Sequence, residues 1–408
     1  MLNAPWSEPA GQMGECTAEL VADHSLLTSH AQAWSELAAN STEPNPFYEP
    51  FALLPALRHL AAGQDVRVLI VWAKAGNARK MVALLPLVRA PLTSWIPLDA
   101  WTPWQHKYCF LTSPLIHQDH ADAAAKGLIT WLGHNGRVSV LSCVGGGTVE
   151  TLLERKATCL HLGLAEAERQ QRALFRAADS AEDYMAKSVS GRHRKGYRRL
   201  ERHLGEAGKL EFRQVGVDQP LETWLEEFLQ LEASGWKGRA GTAFADTQPD
   251  RDYFLEMMRG AHSAGRLMGL GMYLDGKPVA LKANFVCHVG AFSFKICFDE
   301  SFARFSPGVL LELENIRELH RRGIAWMDSC ADEDHPMIDR LWPARREILT
   351  LFLAPKLGGI GSPASALAAM CRMKRAAGRR VRGESAPGTR TEQTSEGPEP
   401  KATSEPAN

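Results

Sequence analysis

Residues 273–328 read YLDGKPVALKANFVCHVGAFSFKICFDESFARFSPGVLLELENIRELHRRGIAWMD. The stretch predicts strand, strand, loop, helix, strand. Tyr273–Leu274 leads into an Asp275–Gly276 turn, and 278–287 and 291–298 are apolar runs of strand length broken by His288 and Gly290. Residues 302–308 then open a helix that stops near His320–Gly323, and 324–328 returns to a strand. A helix that begins directly after Ser306-Pro307-Gly308 offers unpaired backbone N–H groups and the positive end of its dipole. That combination suits a phosphate. Ser306 fits an N-cap, Pro307 fits N1, and Gly308 lets a ligand approach the backbone closely.

The same order occurs upstream. Residues 66–72 and 81–87 are strand-like and joined across Gly76–Asn77. A short strand at 108–112 follows, then Ser113–Pro114, a helical stretch at 121–132, a stop at Asn135–Gly136 and a strand at 138–144. Strand, turn, strand, strand, Ser-Pro loop, helix, stop and strand thus recur near 66–144 and 266–328, a weak internal duplication of a mixed α/β unit. The two Ser-Pro pairs read as heading equivalent helices, with Leu115 in the first copy where Gly308 stands in the second. The second copy is therefore the better phosphate site. Further helices are expected at 26–37, up to Leu60, at 178–207 and at 221–233, with a last strand at 348–352. Residues 1–18 read as loose. Residues 383–408, rich in Gly, Pro, Ser, Thr and Glu, read as disordered.

The chain has 408 residues, enough for two domains, and a formal net charge of zero. It is no general polyanion binder and no DNA-binding protein by composition, so any electrostatic preference is local. Eight cysteines are scattered without a CxxC pair, which suggests neither a zinc ribbon nor a disulfide framework. No secretory leader and no apolar run of membrane-spanning length is read, so the expected location is the cytoplasm.

Five segments occur in a telling order: Asn45-Pro-Phe-Tyr-Glu-Pro-Phe51, Arg192-His-Arg-Lys-Gly-Tyr-Arg-Arg199, Glu232-Ala-Ser-Gly-Trp-Lys-Gly-Arg239, Phe305-Ser-Pro-Gly-Val-Leu-Leu311 and Gly323-Ile-Ala-Trp-Met-Asp328. Together they resemble the GNAT-type acetyltransferases of cellulose and exopolysaccharide biosynthesis, relatives of the Fem peptidoglycan aminoacyltransferases. The resemblance spans residues 25 to 350. It implies an α/β fold of two tandem GNAT-like acyl-CoA N-acyltransferase halves with helical insertions. The halves would be 25–175 and 176–358, the donor site lying in the second, between a loose 1–24 and a basic, then disordered tail at 359–408. It implies acetyl-CoA as donor substrate, no metal, and a β-bulge N–H within 292–298 that polarises the thioester carbonyl. The usual pyrophosphate loop, Arg/Gln-x-x-Gly-x-Gly/Ala, is only partly present. Arg304-Phe-Ser-Pro-Gly308 keeps one glycine, one place late.

On this reading Arg304, Ser306, Pro307, Gly308 and Val309 bind the donor. Arg192, Lys195, Arg199 and Arg202 share a helix face that suits a phosphorylated acceptor, the CoA 3′-phosphate or a tRNA backbone, or is a solvated surface. Trp236, Lys237 and Arg239, between Gly235 and Gly238, suit a loop that wraps a substrate, or a turn around a buried Trp. Asp328, at the end of a strand, could take the proton of an attacking amine or hydroxyl. Lys237 is an available partner for it, and His335 is a second acid–base candidate. Residues 329–335 contain Cys, Asp and His but no matching second cluster, so no metal is assigned. Trp95, Trp101, Trp104 and Tyr108, with His106, form an aromatic cluster suited to a sugar or to a core.

The expected reaction moves acetyl from acetyl-CoA to an amine or hydroxyl of a small-molecule or sugar acceptor in polysaccharide or envelope assembly. One alternative is a Fem-like aminoacyltransferase that uses aminoacyl-tRNA, and another is a non-catalytic scaffold. The basic segment from Arg372 to Arg382 could touch an anionic membrane surface or act only as a solubilising tail.

Overall fold

The computed structural model describes residues 6–7, 16–76, 78–93, 96–356 and 362–382. Its strands are β1 (Trp6–Ser7), β2 (Cys16–Val21), β3 (Arg67–Ala75), β4 (Ala78–Thr93), β5 (Ile96–Pro103), β6 (Leu115–Ile116), β7 (Ser139–Gly145), β8 (Leu162–Arg176), β9 (Leu210–Gln214), β10 (Leu267–Leu274), β11 (Lys277–Cys287), β12 (Gly290–Phe298), β13 (Trp326–Asp328) and β14 (Ala344–Pro355). Its helices are α1 (Ala31–Ala39), α2 (Pro50–His59), α3 (Ala121–Asn135), α4 (Thr148–Cys159), α5 (Ala181–Ser188), α6 (Gly191–Glu206), α7 (Leu221–Ser234), α8 (Trp236–Arg239), α9 (Gln248–Ser263), α10 (Pro307–Arg321), α11 (Ile338–Leu341) and α12 (Pro363–Arg382).

One mixed sheet runs β1-β2-β3-β4-β5-β7-β14-β8-β13-β12-β11-β10-β9, with β6 paired to β4. The two copies read from the sequence are visible in it. β3-β4-β5, α3 and β7 match β10-β11-β12, α10 and β13: an antiparallel meander, a helical crossover, and a strand parallel to the last of the meander. The last strand, β14, lies between β7 and β8 and pairs antiparallel with both, so it closes the seam between the copies.

Local chemistry sets the boundaries. Gly276 takes φ +78 in the β10–β11 turn. At the end of α10, Gly323 takes φ +66, its N–H donates to the His320 carbonyl, and the Ile324 N–H donates to the Leu319 carbonyl. That pattern caps a helix C-terminus and needs a residue free to enter the left-handed region. The 178–207 stretch is two helices, because Ser180 and Ser190 each accept a first-turn amide, from Asp183 and His193 respectively.

Three local expectations are corrected. Residues 108–112 are not a strand. The third strand of the first copy is β5, and 104–114 form an irregular loop tied to β7 through Thr112 N–H to Cys143 O (3.0 Å) and Gly145 N–H to Ser113 Oγ (2.9 Å). Ser113–Pro114 does not head a helix, since β6 and a short 3-10 turn intervene before α3. Residues 16–18 are not loose, because Cys16 and Ala18 are buried in β2 against β3. The expectation for 383–408 lies outside the described residues.

A polar network is sealed beneath α10. Lys282 on β11 is 1% exposed, meets Glu312 of α10 at 3.0 Å and donates to Ser293 Oγ at 2.6 Å. Asn315 accepts from Asn284 (3.0 Å) and donates to Glu312 (2.8 Å). A buried charge left alone costs far more than a pair. Lys282→Met is therefore expected to destabilise the protein by about 3–5 kcal/mol, and Lys282→Met with Glu312→Leu to recover most of that loss. Urea unfolding checks it: equal losses in the single and double variants would mean the pair does not act as a unit.

Candidate active site between the two halves

β12 and β13 run parallel only over Gly290–Trp326, Ala291–Met327 and Phe292–Asp328. Beyond that the strands part, and the chain after β13 turns away through Cys330 at φ +52. The first copy has the same feature, since β5 and β7 pair only at Trp101–Ser139. There the loop 110–114 is hydrogen-bonded to β7 through Thr112. In the second copy the parting strands face side chains instead.

Asn284 pairs with Ser293 and Ala283 pairs with Lys295, so β12 carries one extra residue at Phe294. A bulge of this kind turns two successive side chains toward one face. Phe294 meets Phe47, Phe110, Phe244 and Phe285 there. Lys295 Nζ lies on the same side, 5.3 Å from the Tyr108 ring centroid, 5.3 Å from Phe110 and 5.9 Å from Phe244. Three aromatic faces attract an ammonium. Burial opposes them and, with nearby Lys237, pushes the Lys295 amine down to about 8. The bulge expected within 292–298 is thus present, and the lysine it presents was not singled out from the sequence.

Asp328 is fully buried. Arg346 Nη1 lies 3.1 Å from one of its oxygens, Arg172 Nη1 lies 3.5 Å from the other, and the Cys330 amide donates to it at 2.8 Å. Arg172 also donates to the Phe110 carbonyl at 2.8 Å, and Arg346 also faces Glu43 at 3.6 Å. Two residues in the left-handed region, Cys143 and Cys330, flank Arg172. Backbone held this way is concentrated at functional sites. Asp328 thus bridges two arginines and a backbone amide. Lys237 is not its partner. It meets Glu232 at 2.7 Å and the Ile296 carbonyl at 3.4 Å.

The residues expected to bind the donor, Arg304 and 306–309, follow the far end of β12. Ser306 takes φ +51 at the N-cap position of α10, and its side chain makes no capping bond there. Its carbonyl accepts from Val309 and Leu310, and Pro307 is at the first helical position. Gly308 is buried; a Cβ there would meet Met337, Phe298 and Ile296 at ordinary distances of 3.6 to 3.9 Å. Arg304 is exposed beside Phe305. α6 packs against the short turn Glu300–Phe305 that carries Arg304. Arg192, Lys195, Arg198, Arg199 and Arg202 are all exposed on α6.

Glu300 holds the 236–239 turn from the same side. It accepts the Trp236 amide at 2.7 Å and pairs with Arg239 at 2.7 Å. Trp236 is 56% exposed, so it is not the buried Trp of a structural turn. Gly238 is required sterically: a Cβ there would fall 1.8 Å from the Ala233 carbonyl oxygen. His335 caps the approach to α11 by accepting the Ile338 amide, and no hydrogen bond or ion pair joins it to Asp328 among the described residues. The aromatic cluster divides. Tyr108 stacks on Tyr253 and lies tilted against Phe244 beside Lys295, Trp101 packs on Trp131 elsewhere, and Trp95 lies outside the described residues.

Residues 191–335 match the model of the acetyltransferase (GNAT) domain. No curated protein matches by sequence. Among solved structures, FemX aligns with a TM-score of 0.51 at 10% identity, over 80% of this chain and 96% of its own. The C-terminal domain of an Agrobacterium fabrum protein, designated a candidate lysylphosphatidylglycerol synthetase, aligns with a TM-score of 0.51 at 13% identity, over 86% and 96%. A conserved protein of unknown function from Bacteroides thetaiotaomicron VPI-5482 aligns with a TM-score of 0.50 at 13% identity, over 80% and 97%. At these identities the likeness concerns the fold. The chain thus has a mixed α/β, GNAT-like architecture shared with FemX, and residues 191–335, which hold α10, β12 and β13, are its match to the acetyltransferase domain.

Proposed function

We propose that the protein is an acyltransferase that moves an acetyl group from acetyl-CoA to an amine or hydroxyl of an acceptor, a sugar of polysaccharide or cell-envelope assembly being the first choice. The observation that carries the reading is the parting of β12 from β13, with a bulge at Phe294 and Lys295 beside the gap. The donor would lie along the parting strands, its pyrophosphate at Ser306–Val309 and its 3′-phosphate near Arg304 and the Arg192–Arg199 face of α6. Trp236, Lys237 and Arg239 border the same end of β12. Attack by the acceptor on the thioester carbonyl forms the new bond, the C–S bond breaks, and the CoA thiolate leaves. Lys295 takes the proton from the attacking group, because an amine near 8 is partly free at neutral pH. The site supplies position and a dry aromatic wall in place of a covalent intermediate.

Acetyl-CoA titrated by calorimetry should bind the wild type, and Gly308→Trp should weaken that binding at least about tenfold, since an indole cannot fit among Met337, Phe298 and Ile296. Binding that survives in the variant would remove the donor from this loop.

A second reading is favoured by one observation, the exposed basic face of α6 beside the donor loop. It would suit the phosphates of an aminoacyl-tRNA donor. Tight, salt-sensitive tRNA binding, weakened by Arg192→Glu with Arg199→Glu, together with no affinity for acetyl-CoA, would select this reading.

A further inference from the structure

A cavity adjoins the Asp328–arginine clamp through Arg346. It measures about 380 Å³ and is lined by Glu43, Gly146, Gly147, Arg176, Trp326 and Arg346, among others. Five elements meet there: the chain after α1, the glycine turn between β7 and α4, the end of β8, the start of β13 and the start of β14. Arg176 is exposed, and no hydrogen-bond or ion-pair partner meets it among the described residues. Arg346 is largely buried, lies 5.7 Å from the Trp326 ring centroid and reaches Asp328 from the cavity side. Glu43 accepts the Val149 amide through one oxygen, while its other oxygen is buried without a hydrogen bond. Burial pushes that carboxyl up from its ordinary range.

These groups make an uneven but definite set. A partly exposed indole offers a flat apolar wall to a ring. Glu43 Oε2 faces Arg346 at 3.6 Å but accepts no hydrogen bond, so it has an acceptor position left for a hydroxyl. Arg176 offers a guanidinium fork to an anion, a geometry that fits phosphate oxygens. The pyrophosphate of the donor is already accounted for at α10, on the other side of the parted strands. The geometry points to a subsite for a phosphorylated sugar in this cavity, which anchors the acceptor while its reacting group extends past Arg172 toward Lys295. The assignment deepens the acyl-transfer reading and rests on it only for the word acceptor; the binding itself is independent.

The test is calorimetry at low salt with two probes, inorganic pyrophosphate and glucosamine 1-phosphate, and three proteins, the wild type, Arg176→Gln and Gly308→Trp. Arg176 is exposed, so its replacement leaves the fold intact. The wild type should bind both probes, with the sugar phosphate tighter. Arg176→Gln should lose at least about tenfold for both and keep acetyl-CoA affinity. Gly308→Trp should do the reverse. No binding of either probe by the wild type overturns the subsite, as does equal binding by Arg176→Gln. Pyrophosphate binding lost only in Gly308→Trp assigns the anion to the donor loop and also overturns it. Failure of acetyl-CoA to bind, with sugar phosphate bound through Arg176, would sink the choice of donor and leave the subsite standing.

Discussion

Lys295→Met is expected to lower turnover by about 10²- to 10⁴-fold while acetyl-CoA affinity changes by less than about twofold. The side chain sits among Tyr108, Phe110 and Phe244, at the place where β12 leaves β13, and Met preserves its apolar bulk. Its amine is lowered to about 8, with burial the first cause and Lys237 the second. As a proton acceptor it must be neutral, so the wild-type rate should rise with pH through about 8, and the variant should lose that limb. A rate that falls through the same pH would mean that the ammonium, not the free amine, is the active form, polarising the carbonyl in the manner of a fixed cation. Stability carries the same signature. The unfolded lysine holds its proton up to about 10.5 and the folded one only to about 8, so the unfolded chain binds more protons in that window. The native state therefore gains stability as pH rises from about 8 toward 10.5, and Lys295→Met should flatten this rise.

Asp328→Ala is expected to cost about 3–5 kcal/mol of unfolding free energy, as much as the loss of Lys282 beneath α10. The carboxylate is buried between Arg172 and Arg346, and its removal leaves two guanidinium groups facing each other in the interior. Arg172 then loses the contact that aims it at the Phe110 carbonyl, and the wall around Lys295 loosens with it. Asp328→Asn keeps the shape and one acceptor, so it should lose less. Urea midpoints at pH 7 decide it: a loss under about 1 kcal/mol for Asp328→Ala would mean that the arginines find other partners.

The frame of the second copy was legible because turn chemistry punctuates it. Asp275–Gly276, the His288–Gly290 break and Gly323 mark element ends that the structure reproduces within a few residues. The first copy was legible only in part. Its third strand, β5, contains Pro97, Asp99 and Pro103 and lacks the apolar alternation that marks a strand, whereas 108–112 has the composition of one and is a loop. The site was less legible for a different reason. Lys295 stands in the apolar run Phe292-Ser-Phe-Lys-Ile-Cys-Phe298, where strand alternation gives no hint that a bulge will send it to the same face as Phe294. The lone lysine in that run was the available signal. Arg172 and Arg346 lie in long, charge-rich strands that look solvent-facing, and only the pairing of β13 with β8 and of β14 with β8 brings them to Asp328. Long-range pairing of this kind leaves no local trace.

The position of β14 has a consequence for how the protein is made. β7 and β8 emerge early from the ribosome, yet the strand that separates them is encoded after the whole second copy. At roughly 5–20 residues per second the nascent chain waits on the order of ten to thirty seconds with both edges unpaired. During that time β7 and β8 can pair wrongly with each other or with a neighbouring chain. A chain halted by translation before residue 344 would hold a complete meander at each end and no seam between them. Such a product should be trapped by chaperones or degraded, so the last strand acts as a completion check written into the order of synthesis.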